Sequence, residues 1–237
     1  MNSEEHVSAA TSAIVKRTHD RFERYRRRTV ESTDRLFARL LVAQWLIGIL
    51  VALTFSPYGW SGRVKVVHQH VWIAVLLGGA IISLPLALVA RQPGKPLTRH
   101  VIACAQMLFS ALLIHLSGGR IETHFHVFGS FALLAFYLDW TVMLTAATTI
   151  ALDHFIRGLV WPESVYGIIN PEWWRFLEHA FWVVLCVGFT MVSCRRHLKE
   201  WLAAAEEGGL IEAMAESEWR EHSVLDRQSA DIAASRK

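Results

Sequence analysis

The stretch Leu36-Phe37-Ala38-Arg39-Leu40-Leu41-Val42-Ala43-Gln44-Trp45-Leu46-Ile47-Gly48-Ile49-Leu50-Val51-Ala52-Leu53-Thr54-Phe55 decides the fold class. Arg39 is its single charge, and its length matches the ~20 residues a helix needs to cross the hydrocarbon core of a bilayer. It ends at Ser56-Pro57-Tyr58-Gly59-Trp60, a turn-forming cluster with an interfacial aromatic. Working outward, five more apolar runs follow: Val71 to Ala90, Val101 to Leu116, Phe125 to Leu138, Thr141 to Ile156 and Phe176 to Cys194. Each is bounded by a breaker or by charge, as at Arg91-Gln92-Pro93-Gly94-Lys95-Pro96, Ser117-Gly118-Gly119-Arg120 and Asp139-Trp140. The pattern predicts an all-α, polytopic transmembrane helix bundle of about six spans.

The composition agrees. Of 237 residues 53% are hydrophobic and only 19% charged, below the roughly 25% of an average soluble domain. The charges crowd into the first forty residues, the stretch around 91–100 and everything after Arg195. A net charge of +3 would fit a nucleic-acid partner, but the basic residues flank apolar runs, so membrane lipid is the expected partner and nucleic acid is not. Cys104, Cys186 and Cys194 lie in or at the end of apolar stretches without a CxxC pair, which makes them packing residues. The first apolar run starts too late for a signal peptide, so it is expected to stay as an anchor.

Three segments follow: a charged cytoplasmic helical segment over 1–35, a six-span membrane domain over 36–195 and a cytoplasmic helical tail over 196–237. The first contains no Pro or Gly; the third is expected to break at Gly208-Gly209. Orientation follows from the positive-inside rule. With the N-terminus inside, the inner segments hold Arg24, Arg26, Arg27, Arg28, Arg91, Lys95, Arg99, Arg195, Arg196 and Lys199. The outer ones hold only Arg63, Lys65, Arg120, Arg157 and Arg175. Both termini are then cytoplasmic in a bacterial inner membrane, and Trp60, Trp72, Trp161, Trp173 and Trp174 fall at the outer interface.

The chain has 12 histidines, and those expected on the outer side are His68, His70, His115, His124, His126, His154 and His179. Glu122, Asp153 and Glu178 accompany them. Ionisable groups at membrane depth are costly, which makes them functional candidates. His115, His126, His154 and His179 sit near four helix ends on one side, from which they can face one cavity. If 122–126 is helical, Glu122 and His126 share a face and His124 points elsewhere. Imidazole with carboxylate suits copper, zinc or iron, and paired histidines suit haem; Asp153 and Glu178 would alternatively fix a His tautomer. The same residues would serve interhelical packing if no ligand binds. Gly78-Gly79-Ala80 and Gly118-Gly119 read as close contacts or turns. Arg120 and Arg157 either bind an external anion or pair with Glu122 and Asp153. HExxH, Walker, nucleophile-elbow and kinase motifs are absent from the sequence.

An ordered set of motifs carries a resemblance. It comprises Gly119-Arg120-Ile121-Glu122-Thr123-His124-Phe125-His126-Val127-Phe128-Gly129, Tyr137-Leu138-Asp139-Trp140, Asp153-His154 and Trp161-Pro162-Glu163-Ser164-Val165-Tyr166-Gly167. Over about residues 33–200 the chain resembles the His-rich, multi-span N-terminal sensor region of bacterial signalling proteins. In that group a histidine kinase, cyclase or chemotaxis-receptor output domain follows. The resemblance implies a sensor of an external stimulus acting as a homodimer or through a separate cytoplasmic partner. The residues given hold no recognisable output domain, so the expectation is a stand-alone relative, a truncated gene or a component that signals through a partner, and no residue is assigned a catalytic role. The alternative from another class is a metal- or haem-dependent membrane oxidoreductase using the same histidines, which requires an open coordination position. A transporter is disfavoured by the lack of an inverted repeat.

Overall fold

A computed structural model describes residues 3–172 and 174–235. About 85% of the chain is helical. It divides into two compact units, residues 1–26 with 197–237, and residues 27–196. Helix α1 (Ser3–Phe55) and helix α7 (Arg175–Ser235) each contribute residues to both.

In the larger unit, α1 is followed by a hairpin of β1 (Tyr58–Ser61) and β2 (Val64–Val67), antiparallel with Tyr58 opposite Val67. The segment between the first two apolar runs thus closes its own backbone hydrogen bonds. Its two-residue turn starts at Gly62, whose φ of +61° a side chain would resist. Helix α2 (Gln69–Arg91) contains a π-helical stretch at Ile73–Leu77. There the Trp45 indole N–H donates to the Ala74 and Val75 carbonyls at 3.1 and 3.2 Å. Gly78 lies so close to the same indole that a Cβ would stand 2.8 Å from Trp45 Cδ1, so this glycine permits the approach of α1 to α2. Helix α3 (Pro96–Leu116) begins on Pro96, whose missing N–H costs nothing in a first turn. Helix α4 (Ile121–Leu134) passes through a 3₁₀ turn, Ala135–Tyr137, into the turn before α5 (Trp140–Val160). There Asp139 caps α5 by accepting from the Thr141 N–H at 3.0 Å. Helix α6 (Glu163–Tyr166) is a single turn before α7.

Helix α3 is the centre of this unit, packed against α2, α4 and α5. Its Ile102, Met107 and Ile114 are fully buried beside Phe37 of α1, Phe131 of α4 and Met143 of α5. Outward faces are apolar too: Leu46, Ile47, Leu50 and Leu53 of α1, Leu76 and Leu84 of α2, and Phe181, Val184, Leu185 and Phe189 of α7 are all exposed. Helices apolar inside and out belong to a hydrocarbon environment. Among the described residues, four helical stretches are long and apolar enough to span a membrane: Ile14–Phe55, Gln69–Arg91, Pro96–Leu116 and Arg175–Val224. The sequence reading expected six. Helix α4, with 14 residues, is too short for that criterion, and α5 dilutes its apolar content with Asp153, His154 and Arg157. Trp60, Trp72, Trp161 and Trp174 are exposed; Trp173 lies outside the described residues.

The smaller unit pairs the ends of α1 and α7. Arg17 meets Glu216, and Arg21 donates to both oxygens of Glu212. Tyr25 lies edge-on to Trp201 with ring centres 5.4 Å apart. The break expected at Gly208-Gly209 is absent, since α7 runs straight through both. Gly209 instead faces Thr18, where a Cβ would come within 2.0 Å of Thr18 Oγ1. Gly209 thus serves a helix contact, whereas Gly208 faces open space.

Candidate functional site

The structure sorts the candidate residues into separate places. His68, His70 and His115 form a chain of edge-on rings with centres 4.4 and 5.0 Å apart, continued by Trp161 at 4.8 Å from His115. His68 precedes α2 and accepts the His70 N–H at 3.1 Å, which caps that helix. His115 Nδ1 is 2.9 Å from Ser164 Oγ of α6.

A second group draws on three helices. His124 from the first turn of α4, His154 from the last third of α5 and His179 from the first turns of α7 have ring centres 5.6, 5.3 and 6.1 Å apart. Tyr166 of α6 packs edge-on to His179 at 5.3 Å. Two glycines bring α6 here: Gly119 and Gly167, with φ of +75° and +68°, cross so closely that a Cβ on Gly119 would stand 2.2 Å from the Gly167 nitrogen. Gly118-Gly119 is therefore both a turn and a close contact.

The protonation pattern of this trio follows from its partners. His124 Nδ1 is 2.9 Å from the Arg120 carbonyl, and His179 Nδ1 is 3.0 Å from the Arg175 carbonyl. A carbonyl only accepts, so both Nδ1 atoms carry the hydrogen. His154 Nδ1 lies 3.1 Å from Asp153 Oδ2, and Arg157 grips that carboxylate with two hydrogen bonds of 2.6 and 2.8 Å. An ion-paired carboxylate is likewise an acceptor. In the neutral ring each Nε2 is then a lone pair. That of His124 is buried without a hydrogen-bond partner, in a residue only 6% exposed. Among the described residues, no group of three or more His, Cys, Asp or Glu side chains is gathered at metal-binding distance.

All three rings line one end of a cavity of about 890 Å³ between α4, α5 and α7. The rest of its wall is almost wholly apolar, including Phe125, Phe128, Leu144, Ile150, Phe176, Val183, Val187 and Met191. Glu178, exposed at the rim, and Arg175 add charge at the same end.

The remaining candidates stand apart. Because 121–134 is helical, His124 and His126 diverge. His126 lies between Gln44 Nε2 at 3.0 Å and Ser110 Oγ at 2.8 Å, so both ring nitrogens are engaged. Glu122 is exposed and takes Arg120 as partner at 3.3 Å; that hydrogen bond holds its carboxyl below the ordinary range. Arg120 and Arg157 thus pair with Glu122 and Asp153, the second of the two roles open to them. Sequence reading missed the polar thread through the bundle, in which Gln106 donates to Ser130 at 2.9 Å and Ser110 donates to the Gln106 carbonyl. Gln44, Gln106 and Ser110 were the available signal: hydrogen-bonding side chains inside apolar runs. Buried Asp34, which accepts from Tyr137 at 2.7 Å and from the Gly94 N–H at 2.6 Å, was hidden in a charge-rich segment.

The chain is 32% identical over 127 residues to transducer protein Htr8 of Halobacterium salinarum, a match covering 51% of this chain and 19% of that protein. The chain thus spans about a fifth of the length of the curated relative it matches. No protein-family model matches, and no solved structure does.

Proposed function

We propose that this chain is a membrane signal-transducing protein whose input lies at the His124, His154 and His179 group. One observation carries the reading. His179, the half-buried member of the trio, sits on α7, and α7 contributes to both compact units. A ligand that prefers one arrangement of α4, α5 and α7 would bias the position of that helix, since a ligand shifts an equilibrium only by its differential affinity. The similarity to a protein named a transducer supports the same role. In this reading α4 and α5, both packed against α3, complete a six-span bundle despite their polar content. Both termini are cytoplasmic, and the trio faces outward. Were the occupant the copper, zinc, iron or haem that the histidine pattern suggests, the three Nε2 lone pairs would hold it, with His68, His70, His115 and His126 left to packing.

Two measurements test this. Topology reporters after Gly94 and after Glu163 are expected to read cytoplasmic and periplasmic; the opposite pattern refutes the orientation. Spin labels at Val15→Cys and Met214→Cys, in a chain with Cys104, Cys186 and Cys194 replaced by Ser, report the smaller unit. His154→Ala or His179→Ala is expected to shift their distance distribution. Identical distributions in the parent and both variants would remove the trio as input.

A further inference from the structure

We propose that the cavity beside His124, His154 and His179 binds a membrane-soluble hydroquinone, and prefers it to the oxidised quinone. This rests on the reading of the trio as the input site, and it specifies what that input detects.

The first argument is hydrogen-bond sign. The three Nδ1–H groups are committed to the Arg120 and Arg175 carbonyls and to Asp153. What the rings offer the cavity is therefore acceptor capacity at Nε2. A buried acceptor without a donor is costly, and the His124 Nε2 is one. A fitting occupant brings O–H groups. A hydroquinone has two, whereas the corresponding quinone has only carbonyl acceptors, which would face lone pairs of like sign.

The second argument is shape and composition. The cavity holds about 890 Å³, within the range of small-molecule sites. Apart from Thr148, its polar side chains lie at one end. Phe125 and Phe128 on α4 and Phe176 on α7 stand within a turn of His124 and His179, a setting for an aromatic head group. Beyond them the wall is aliphatic, down to Val187 and Met191, where an isoprenoid or alkyl tail would lie. Helix α7 presents Phe181, Val184 and Phe189 outward as lipid-facing residues, so the tail need not leave an apolar environment to enter.

A metal ion is the competing occupant of the same lone pairs. It is disfavoured because the described donors are not gathered at ligation distance. A haem would also need two rings standing on opposite faces of a macrocycle, and here the third ring crowds each pair at 5.3 to 6.1 Å.

The test uses the full chain in lipid nanodiscs, equilibrated with decylubiquinol under reductant or with decylubiquinone, and bound ligand is extracted and counted by chromatography. The quinol is expected to bind about tenfold tighter, the worth of one well-placed hydrogen bond. His124→Phe is expected to abolish that preference, and His179→Gln, which restores a donor, to shift it toward the quinone. His126→Asn, outside the cavity, is expected to leave it unchanged. Equal affinities in the parent, or a preference that survives both cavity variants with helicity retained, would overturn the proposal. So would a stoichiometric bound metal that His124→Phe removes. Quinol binding without any change in the spin-label distances would instead refute the signalling role and leave the ligand standing.

Discussion

Removing the Arg157 guanidinium is expected to be the most damaging single change near the trio. Arg157 joins three helices: it grips Asp153 of α5 through two bonds, donates to Ser164 Oγ of α6 at 2.8 Å and reaches the Ala111 carbonyl of α3 at 3.2 Å. The two charged side chains are only 21% and 14% exposed, closer to the buried than to the surface limit of ion-pair behaviour. Arg157→Met strands the Asp153 carboxylate, for a cost of about 3 kcal/mol. Asp153→Asn keeps an acceptor for His154 and costs about 2 kcal/mol, mostly from the guanidinium it leaves unpaired. The double variant strands no charge, so it is expected to cost about 2–3 kcal/mol rather than the ~5 of the sum. Equilibrium unfolding in mixed micelles, driven by added SDS and followed by far-UV circular dichroism, measures all four proteins. Additive costs, with a coupling under ~0.5 kcal/mol, would refute the idea that this ion pair organises the site.

Two further substitutions probe helix contacts. Gly208→Ala and Gly209→Ala change neighbouring residues of α7 identically, yet opposite signs are expected. A Cβ at Gly208 meets nothing, so the helix gains about 1 kcal/mol, whereas at Gly209 the collision with Thr18 costs about 1–3 kcal/mol. Thermal melts, with Thr18→Ala as the rescue of Gly209→Ala, decide this; equal shifts would remove the contact. Gly119→Ala is expected to fail more severely, because positive φ and a backbone collision with Gly167 act together. Its signature is loss of the Tyr166 contact with His179, read as altered tyrosine fluorescence; a variant with parental spectrum and melting would show that the crossing does not seat α6.

The helical, membrane-bound class was readable from the runs themselves, because about 20 apolar residues between breakers leave few other structures open. Span number was harder. Helix α4 has only 14 residues and α5 carries Asp153, His154 and Arg157, so the six apolar runs reduce to four helices long and apolar enough to cross a membrane among the described residues. The charged ends at Gly208-Gly209 misled for a related reason. Glycine breaks a helix only when nothing rewards its missing side chain, and Thr18 lies far away in sequence.

Histidine positions could be read as a list but not as a partition. Spacing showed that His124 and His126 part company in a helix, yet it gave no reason to join His124 with His154 and His179 rather than with His115. That choice is made by the Gly119–Gly167 crossing and by the entry of α7, both long-range. The tautomers were further out of reach. Two of the three Nδ1 partners are backbone carbonyls four residues earlier, Arg120 for His124 and Arg175 for His179. Any helical histidine has such a carbonyl within its own preceding turn, so sequence alone cannot tell which rings use it. Once they do, the site's chemistry is set by what the backbone has taken away. Neutral rings held this way turn acceptors toward the cavity, which is why the occupant proposed for it is one that brings the donor.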